Sequence, residues 1–216
     1  MKSKSSSFVL RPSSVVLFDF DGTLSAGDAN WGFMRYCFLH SFRPWLFLPV
    51  SLCGVFVYWL SPCKRCAGGG LLWRQLLRRF ISANLITRLA PAFIKRHKKL
   101  RFGWAKNQIA KERADGNMVL CVSAGPEYLL KPLVSDLGFD AVLCSVMEKT
   151  RPWKYEFLCN KGNKVVAVAE WARREKITPV VIRVYGDSDG DAAMMNLAQE
   201  QVWINPKTGR RITAVG

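Results

Sequence analysis

The stretch VVLFDFDGTL, Val15 to Leu24, sets an apolar run rich in β-branched residues directly against two carboxylates, Asp19 and Asp21, with Gly22 and Thr23 following at once. Such a run reads as a strand buried on both faces, the kind found in parallel sheets. With the strand placed over Val15 to Phe20, Asp19, Asp21 and Thr23 fall where it ends. In open α/β sheets that edge is where ligands bind.

Working outward, MVLCV (Met118 to Val122), AVLCS (Ala141 to Ser145), VVIRVY (Val180 to Tyr185) and VWI (Val202 to Ile204) have the same buried-strand character. Between them lie helical patterns: EYLLKPLVSDLG with a bend expected at Pro132, NKVVAVAEWARREK, and DAAMMNLAQE. Strands alternating with helices predict an α/β fold, a doubly wound parallel sheet of the Rossmann-like kind. Ser25 to Asp115 reads as helical throughout and interrupts the sheet after its first strand, so it is expected to be an inserted helical cap. The predicted division is therefore a catalytic core of residues 1–24 and 116–216 and a cap of residues 25–115. A chain of 216 residues accommodates one catalytic domain with an insertion better than two independent domains.

Half the chain is apolar, which excludes a disordered tail. Seven Cys, an odd number in apolar contexts, and no secretory apolar region in MKSKSSSFVLRPSS predict free thiols, a reducing compartment and no signal peptide. The net charge of +16 is concentrated in one place. From Ala29 to Lys111 there are fifteen Lys or Arg and no Asp or Glu, whereas the remainder carries seventeen basic and sixteen acidic residues. That segment suits a polyanionic partner: a membrane surface, a nucleic acid or a phosphorylated substrate.

Further chemistry gathers at later strand ends. In CVSAGPE, Ser123 ends a strand just ahead of a helix, where a hydroxyl and helix N–H groups offer donors to an oxyanion. In YGDSDGDAAM, Asp187, Asp189 and Asp191 crowd into five residues, a density that calls for a hard cation such as Mg²⁺. In CNKGNKVV, Lys161 or Lys164 precedes a helix, and a lysine there neutralises both a phosphate and a nearby Asp. Lys164 is preferred because it directly precedes the periodic apolar residues. Taken singly, these are also what a turn, a helix cap, a solvated lysine and an exposed acidic loop look like.

In this order, DxDGT after a strand, Ser after the next, Lys before a helix and GDSDGD after a later strand, the chain resembles the haloacid dehalogenase superfamily of phosphatases. The resemblance implies that Asp19 is the nucleophile that forms an aspartyl-phosphate, and that Asp21 is the acid and later the base. It further implies Mg²⁺ held by the Asp19 carboxylate, the Asp21 main-chain carbonyl and Asp187, with Asp191 positioning the ion. Thr23 would orient the loop, and Ser123 and Lys164 would hold the phosphoryl oxygens. Relatives often carry Asn where this chain has Gly190, which keeps Asp189 open as a stand-in.

The long insertion between Asp19 and Ser123 resembles the phosphoserine-phosphatase-like branch, whose helical cap roofs the site. Within it, Pro44 to Cys63 carries no charge, while Leu71 to Leu89 is amphipathic and arginine-rich. With DGTLSAGDANWGFMRYCF, that pattern resembles the phosphatidylglycerophosphatase C type of bacterial lipid phosphatase. It implies a phospholipid headgroup, phosphatidylglycerophosphate, as substrate at the cytoplasmic side of the bacterial inner membrane. If the enzyme reading holds, Asp19 and Ser123 share one site and a single crossing by 44–63 is excluded; the segment would then enter and leave one leaflet or lie in the interface on anionic lipid. The alternatives are a buried cap helix in a cytoplasmic enzyme acting on a soluble monoester such as phosphoserine, and a non-catalytic basic binding protein. Nucleic acid is not expected as a partner; the run KRHKKLR (Lys95 to Arg101) is open to contact with phosphates of lipid or nucleic acid or to being a solvated face, the last being the commonest outcome for such a run. Cys63 and Cys66 lack the second pair of a zinc site, and neither His40 nor His97 falls in a recognisable cluster.

Overall fold

A computed structural model describes residues 11–41, 82–151 and 154–212. In chain order it holds β1 (Arg11–Phe18), α1 (Ala29–His40), α2 (Ala83–His97), α3 (Ala105–Ala114), β2 (Met118–Pro126), α4 (Glu127–Val134), β3 (Ala141–Met147), β4 (Tyr155–Phe157), α5 (Gly162–Glu175), β5 (Ile177–Gly186), α6 (Ala192–Met195) and β6 (Glu200–Trp203). The sheet runs β4-β3-β2-β1-β5-β6. All neighbours are parallel except β4, which pairs antiparallel with β3. The chain winds outward from β1 through β2 and β3, then returns to lay β5 and β6 on the other side, which is the doubly wound α/β fold.

Alternation along β1 explains its continuous hydrophobicity. Val16 and Phe18 join the core on one face with Ile109 of α3 and Leu129, Leu130 and Leu133 of α4. Val15 and Leu17 join the core on the other, with Val168 and Trp171 of α5 and Met194 and Met195 of α6. A strand covered by helices on both faces has no polar side to show, so its sequence does not alternate.

Several element bounds differ from the sequence reading, each for a local reason. β1 ends at Phe18 instead of Phe20, because the Phe20 carbonyl accepts from both Leu24 N and Ser25 N and so bends the chain into a single helical turn. The helix expected over DAAMMNLAQE is confined to Ala192–Met195, since Gln199 N already donates to Val181 O at the entry to β6. α4 stops at Val134, short of the predicted Gly138, with Pro132 inside it. The three-residue β4 is too short to leave a periodic signature.

The insertion leaves and rejoins the sheet through two paired linkers. Ala26 N donates to Leu100 O at 2.9 Å and Phe102 N to Leu24 O at 3.0 Å. The described part of residues 25–115 holds α1, α2 and α3 as separate helices. Its last helix, α3, packs against β2 in the helical layer of the sheet. α2 is fastened to the α4 end by Lys98 and Arg101, which both pair with Asp136. The apolar segment 44–63, the first part of the amphipathic segment 71–89, and Cys63 and Cys66 lie outside the described residues. Among the described residues no helix is long and apolar enough to cross a membrane. The described cysteines, Cys37, Cys121, Cys144 and Cys159, are buried free thiols.

Candidate active site

Three adjacent parallel strands deliver the site. Asp19 leaves β1 with its N–H donated to Tyr185 O of β5, which fixes the two strand ends relative to each other. Ser123 lies in β2, and Asp187 follows β5. The resulting cleft, about 480 Å³, is lined by Asp19, Asp21, Ser123, Lys164, Asp187 and Asp191 among others.

Lys164, in the first turn of α5, is 3 % exposed and bridges two carboxylates: its ammonium donates to Asp19 Oδ1 at 2.6 Å and to Asp191 Oδ1 at 2.5 Å. Lys161, the other candidate, is exposed and serves as the helix N-cap position. Asp191 turns its second oxygen towards the Asp187 N–H, the Ser188 N–H and the Ser188 hydroxyl, at 3.2–3.3 Å. Thr23, fully buried, has its hydroxyl 3.4 Å from both Asp19 Oδ2 and Asp187 Oδ1 and so ties the first loop to the last. Asp189 is exposed and outside this cluster.

Gly22 and Gly186 make room for this crowding. Gly22 has φ +81°, and a Cβ there would lie 2.3 Å from Asp187 Oδ2. A Cβ at Gly186 would lie 2.9 Å from the Asp191 Cβ. Only a residue without a side chain lets these loops approach so closely.

The electrostatics follow from burial. Burial pushes the Asp19 carboxyl up to about 7; Lys164 pulls it down, and Asp191 and Asp187 push it up further. Burial, with Asp191 beside it, pushes Asp187 up to about 6. Burial opposes the charge on Lys164, but Asp19 and Asp191 outweigh it and hold the ammonium above its ordinary pKa. Asp21, at the cleft wall, is held well above the usual carboxylate range by burial and by the Asp28 charge. Its Oδ1 accepts from Ala29 N at 2.7 Å, so the first residue of α1 orients it.

Asp19, Asp187 and Asp191 each place a carboxylate oxygen within 4.8 Å of the others. With one buried lysine among three carboxylates, this donor set fits a hard divalent cation bound through oxygen.

Some residues of the site carry no sequence signal of their own. Asp28 caps α1 by accepting from Trp31 N at 2.7 Å and lines the cleft, as do Asn160, Ser188 and Lys207. Buried His97 packs its ring towards Phe20 and lies 3.4 Å from the Ser25 hydroxyl, behind the loop that carries Asp21. Only the DAN step at the start of α1, a helix-capping pattern with Asp28 at the cap position, was there to be read.

Residues 16–196 match the family model of the haloacid dehalogenase-like hydrolases. No curated protein sequence matches the chain. Among solved structures, a protein with unknown function from Bordetella pertussis Tohama I superposes with TM-score 0.71 at 16% identity, over 92% of each chain. A substrate-bound phosphoserine phosphatase gives TM-score 0.58 at 18% identity, over 89% of this chain and 86% of that one. A phospho-aspartyl intermediate analogue of phosphoserine phosphatase gives 0.60 at 18% identity, over 88% and 86%. At these identities the likeness is one of fold.

Proposed function

Because the chain belongs to the haloacid dehalogenase-like hydrolase family, we propose that it hydrolyses phosphomonoesters, with Asp19 as the phosphate acceptor. The observation that carries this reading is the convergence of Asp19, Lys164, Asp187 and Asp191 on one cleft from segments far apart in the chain. In the first step an Asp19 oxygen attacks phosphorus, and the bond to the leaving alkoxide breaks as Asp21 gives that oxygen its proton. Asp21 then takes a proton from water, whose oxygen attacks the aspartyl-phosphate and releases inorganic phosphate with Asp19 restored. The raised pKa of Asp21 keeps it protonated for the first step. Lys164 balances the charge of Asp19 and Asp191 so that a phosphate dianion can approach, and Ser123 offers its hydroxyl to a phosphoryl oxygen. Mg²⁺ would be held by Asp19, Asp187 and the Asp21 main-chain carbonyl, with Asp191 behind them, and when bound it supplies positive charge opposite the phosphoryl oxygens.

The substrate is a soluble phosphomonoester, in keeping with the fold shared with phosphoserine phosphatases. A second reading takes a phospholipid headgroup, phosphatidylglycerophosphate, with the enzyme at an anionic membrane surface. It is favoured by one observation, the uncharged stretch 44–63 inside a segment free of acidic residues from Ala29 to Lys111.

Phosphate release measured with phosphoserine, 4-nitrophenyl phosphate and phosphatidylglycerophosphate in mixed micelles tests both. Mg²⁺-dependent release that falls at least a hundredfold in Asp19→Asn is expected. Release that is indifferent to Asp19→Asn would reject the phosphatase reading, and turnover of the micellar lipid alone would move the substrate to the second one.

A further inference from the structure

Next to the catalytic cleft lies a second cavity, about 440 Å³, formed between α1 and the end of α2. The two cavities share Gly27 and Asp28 and so adjoin at the start of α1. Arg35 of α1 and Arg96 of α2 both line the second one, and among the described residues neither pairs with a carboxylate. Trp31 and Tyr36 form part of its walls. His97, also in the lining, has its pKa lowered by burial and adds no charge at neutral pH. The one acidic group there is Asp28, at the junction, with its carboxylate committed to Trp31 N.

We propose that this cavity binds a second anionic group of the substrate, a phosphate or carboxylate carried on the leaving group and held by Arg35 and Arg96. The inference rests on the phosphatase reading, since the scissile phosphate must occupy the cleft next door. Two guanidinium groups that face one cavity without counter-ions repel each other, and an anion between them removes that repulsion while accepting their planar sets of donors. Both guanidinium groups are exposed at the mouth of the cavity and so are within reach of an anion entering from solvent. Asp28 decides the spacing: its charge repels an anion placed directly beside the scissile phosphate, so the second anion belongs beyond a neutral spacer. A diester phosphate of a lipid and the far phosphate of a soluble bisphosphate present the same chemistry to this cavity.

Binding is tested without turnover, by titrating the Mg²⁺-loaded protein with alkane-α,ω-bisphosphonates of one, three, five and eight carbons and with the alkylphosphonates of the same lengths. At least one bisphosphonate of three carbons or more should bind tenfold or more tightly than its monophosphonate, and methylenebisphosphonate should show no such gain. Arg35→Gln and Arg96→Gln should each erase most of the gain, Arg→Lys at the same positions should restore part of it, and Lys111→Gln, an equal loss of charge at an exposed side chain of α3, should keep it. Equal binding of bis- and monophosphonates, or a gain untouched by either Arg→Gln change, would overturn the inference.

Two substrate arms then locate the source. A loss of kcat/KM in Arg35→Gln and Arg96→Gln with phosphatidylglycerophosphate micelles assigns the anion to a lipid, and the same loss with soluble alkanediol bisphosphates assigns it to a soluble metabolite. A protein that shows the binding gain yet releases no phosphate from any monoester keeps the anion site and loses the phosphatase reading.

Discussion

At the scale of single residues, Asp19 and Asp21 share a loop and differ in surroundings. Asp19 touches an ammonium and Asp21 touches a backbone N–H and faces Asp28. Lys164 pulls the Asp19 carboxyl down against its burial, towards the ionised form the proposed attack needs, whereas Asp21 is held well above the usual carboxylate range, as the proposed acid requires. A general acid matters in proportion to the basicity of the oxygen it protonates. Asp21→Asn should therefore slow hydrolysis of an alkyl phosphate such as phosphoserine by about a hundredfold or more, within the range usual for general acid catalysis. With 4-nitrophenyl phosphate, whose phenolate leaves without help, the first step should be far less affected, as a burst of 4-nitrophenolate in rapid mixing would show. Equal damage to both first steps would remove Asp21 from the acid role.

At the scale of elements, what was legible in the sequence was what strand ends display. The apolar run before Asp19, the Ser after the second run and the acidic loop after VVIRVY each mark a change from a buried strand to a polar edge, so fold class and cleft could be read together. Ser25 and His97 are 72 residues apart, and Glu112 and Tyr185 are 73 apart; nothing local marks either partner. Glu112 on α3 is 1 % exposed and looks like an ordinary helix-surface acid in AKNQIAKERA. In the fold it accepts from Gln108, Asn117, Arg183 and the Tyr185 hydroxyl, joining α3 to β5 beneath the site. That same packing holds α3 against the sheet. Removing one partner of such a buried network leaves the others unpaired, at a cost of about 3 kcal/mol. Urea unfolding should show Glu112→Ala losing about that much, with a Tm drop of roughly 6–12 °C for a chain of this size. Glu112→Gln, which keeps an acceptor, should lose less.

At the scale of the molecule, the cleft concentrates three carboxylates at the junction of segments that follow β1 and β5, with α5 supplying one cation. Each raised carboxyl holds its proton in the folded chain at a pH where the unfolded chain has lost it. Between about 4 and about 7 the metal-free protein therefore loses stability as pH rises, through Asp187 near 6 and Asp19 near 7. His97 runs the other way, since its lowered pKa makes the unfolded chain the better proton binder below its ordinary 6.5, so stability rises as pH climbs towards that value. The difference made by Mg²⁺ at each pH removes the His97 contribution, because that ring lies outside the carboxylate cluster. A cation at a hundred times its Kd stabilises by about 2.7 kcal/mol, which corresponds to roughly 5–10 °C in Tm. Saturating Mg²⁺ should thus raise Tm by that order at pH 7.5, by clearly less at pH 5 where protons compete for the same oxygens, and by little at either pH in Asp187→Asn. A Tm shift that is the same at both pH values would mean that the ion binds away from Asp19 and Asp187, and with it would go the electrostatic reason for gathering those carboxylates at one sheet edge.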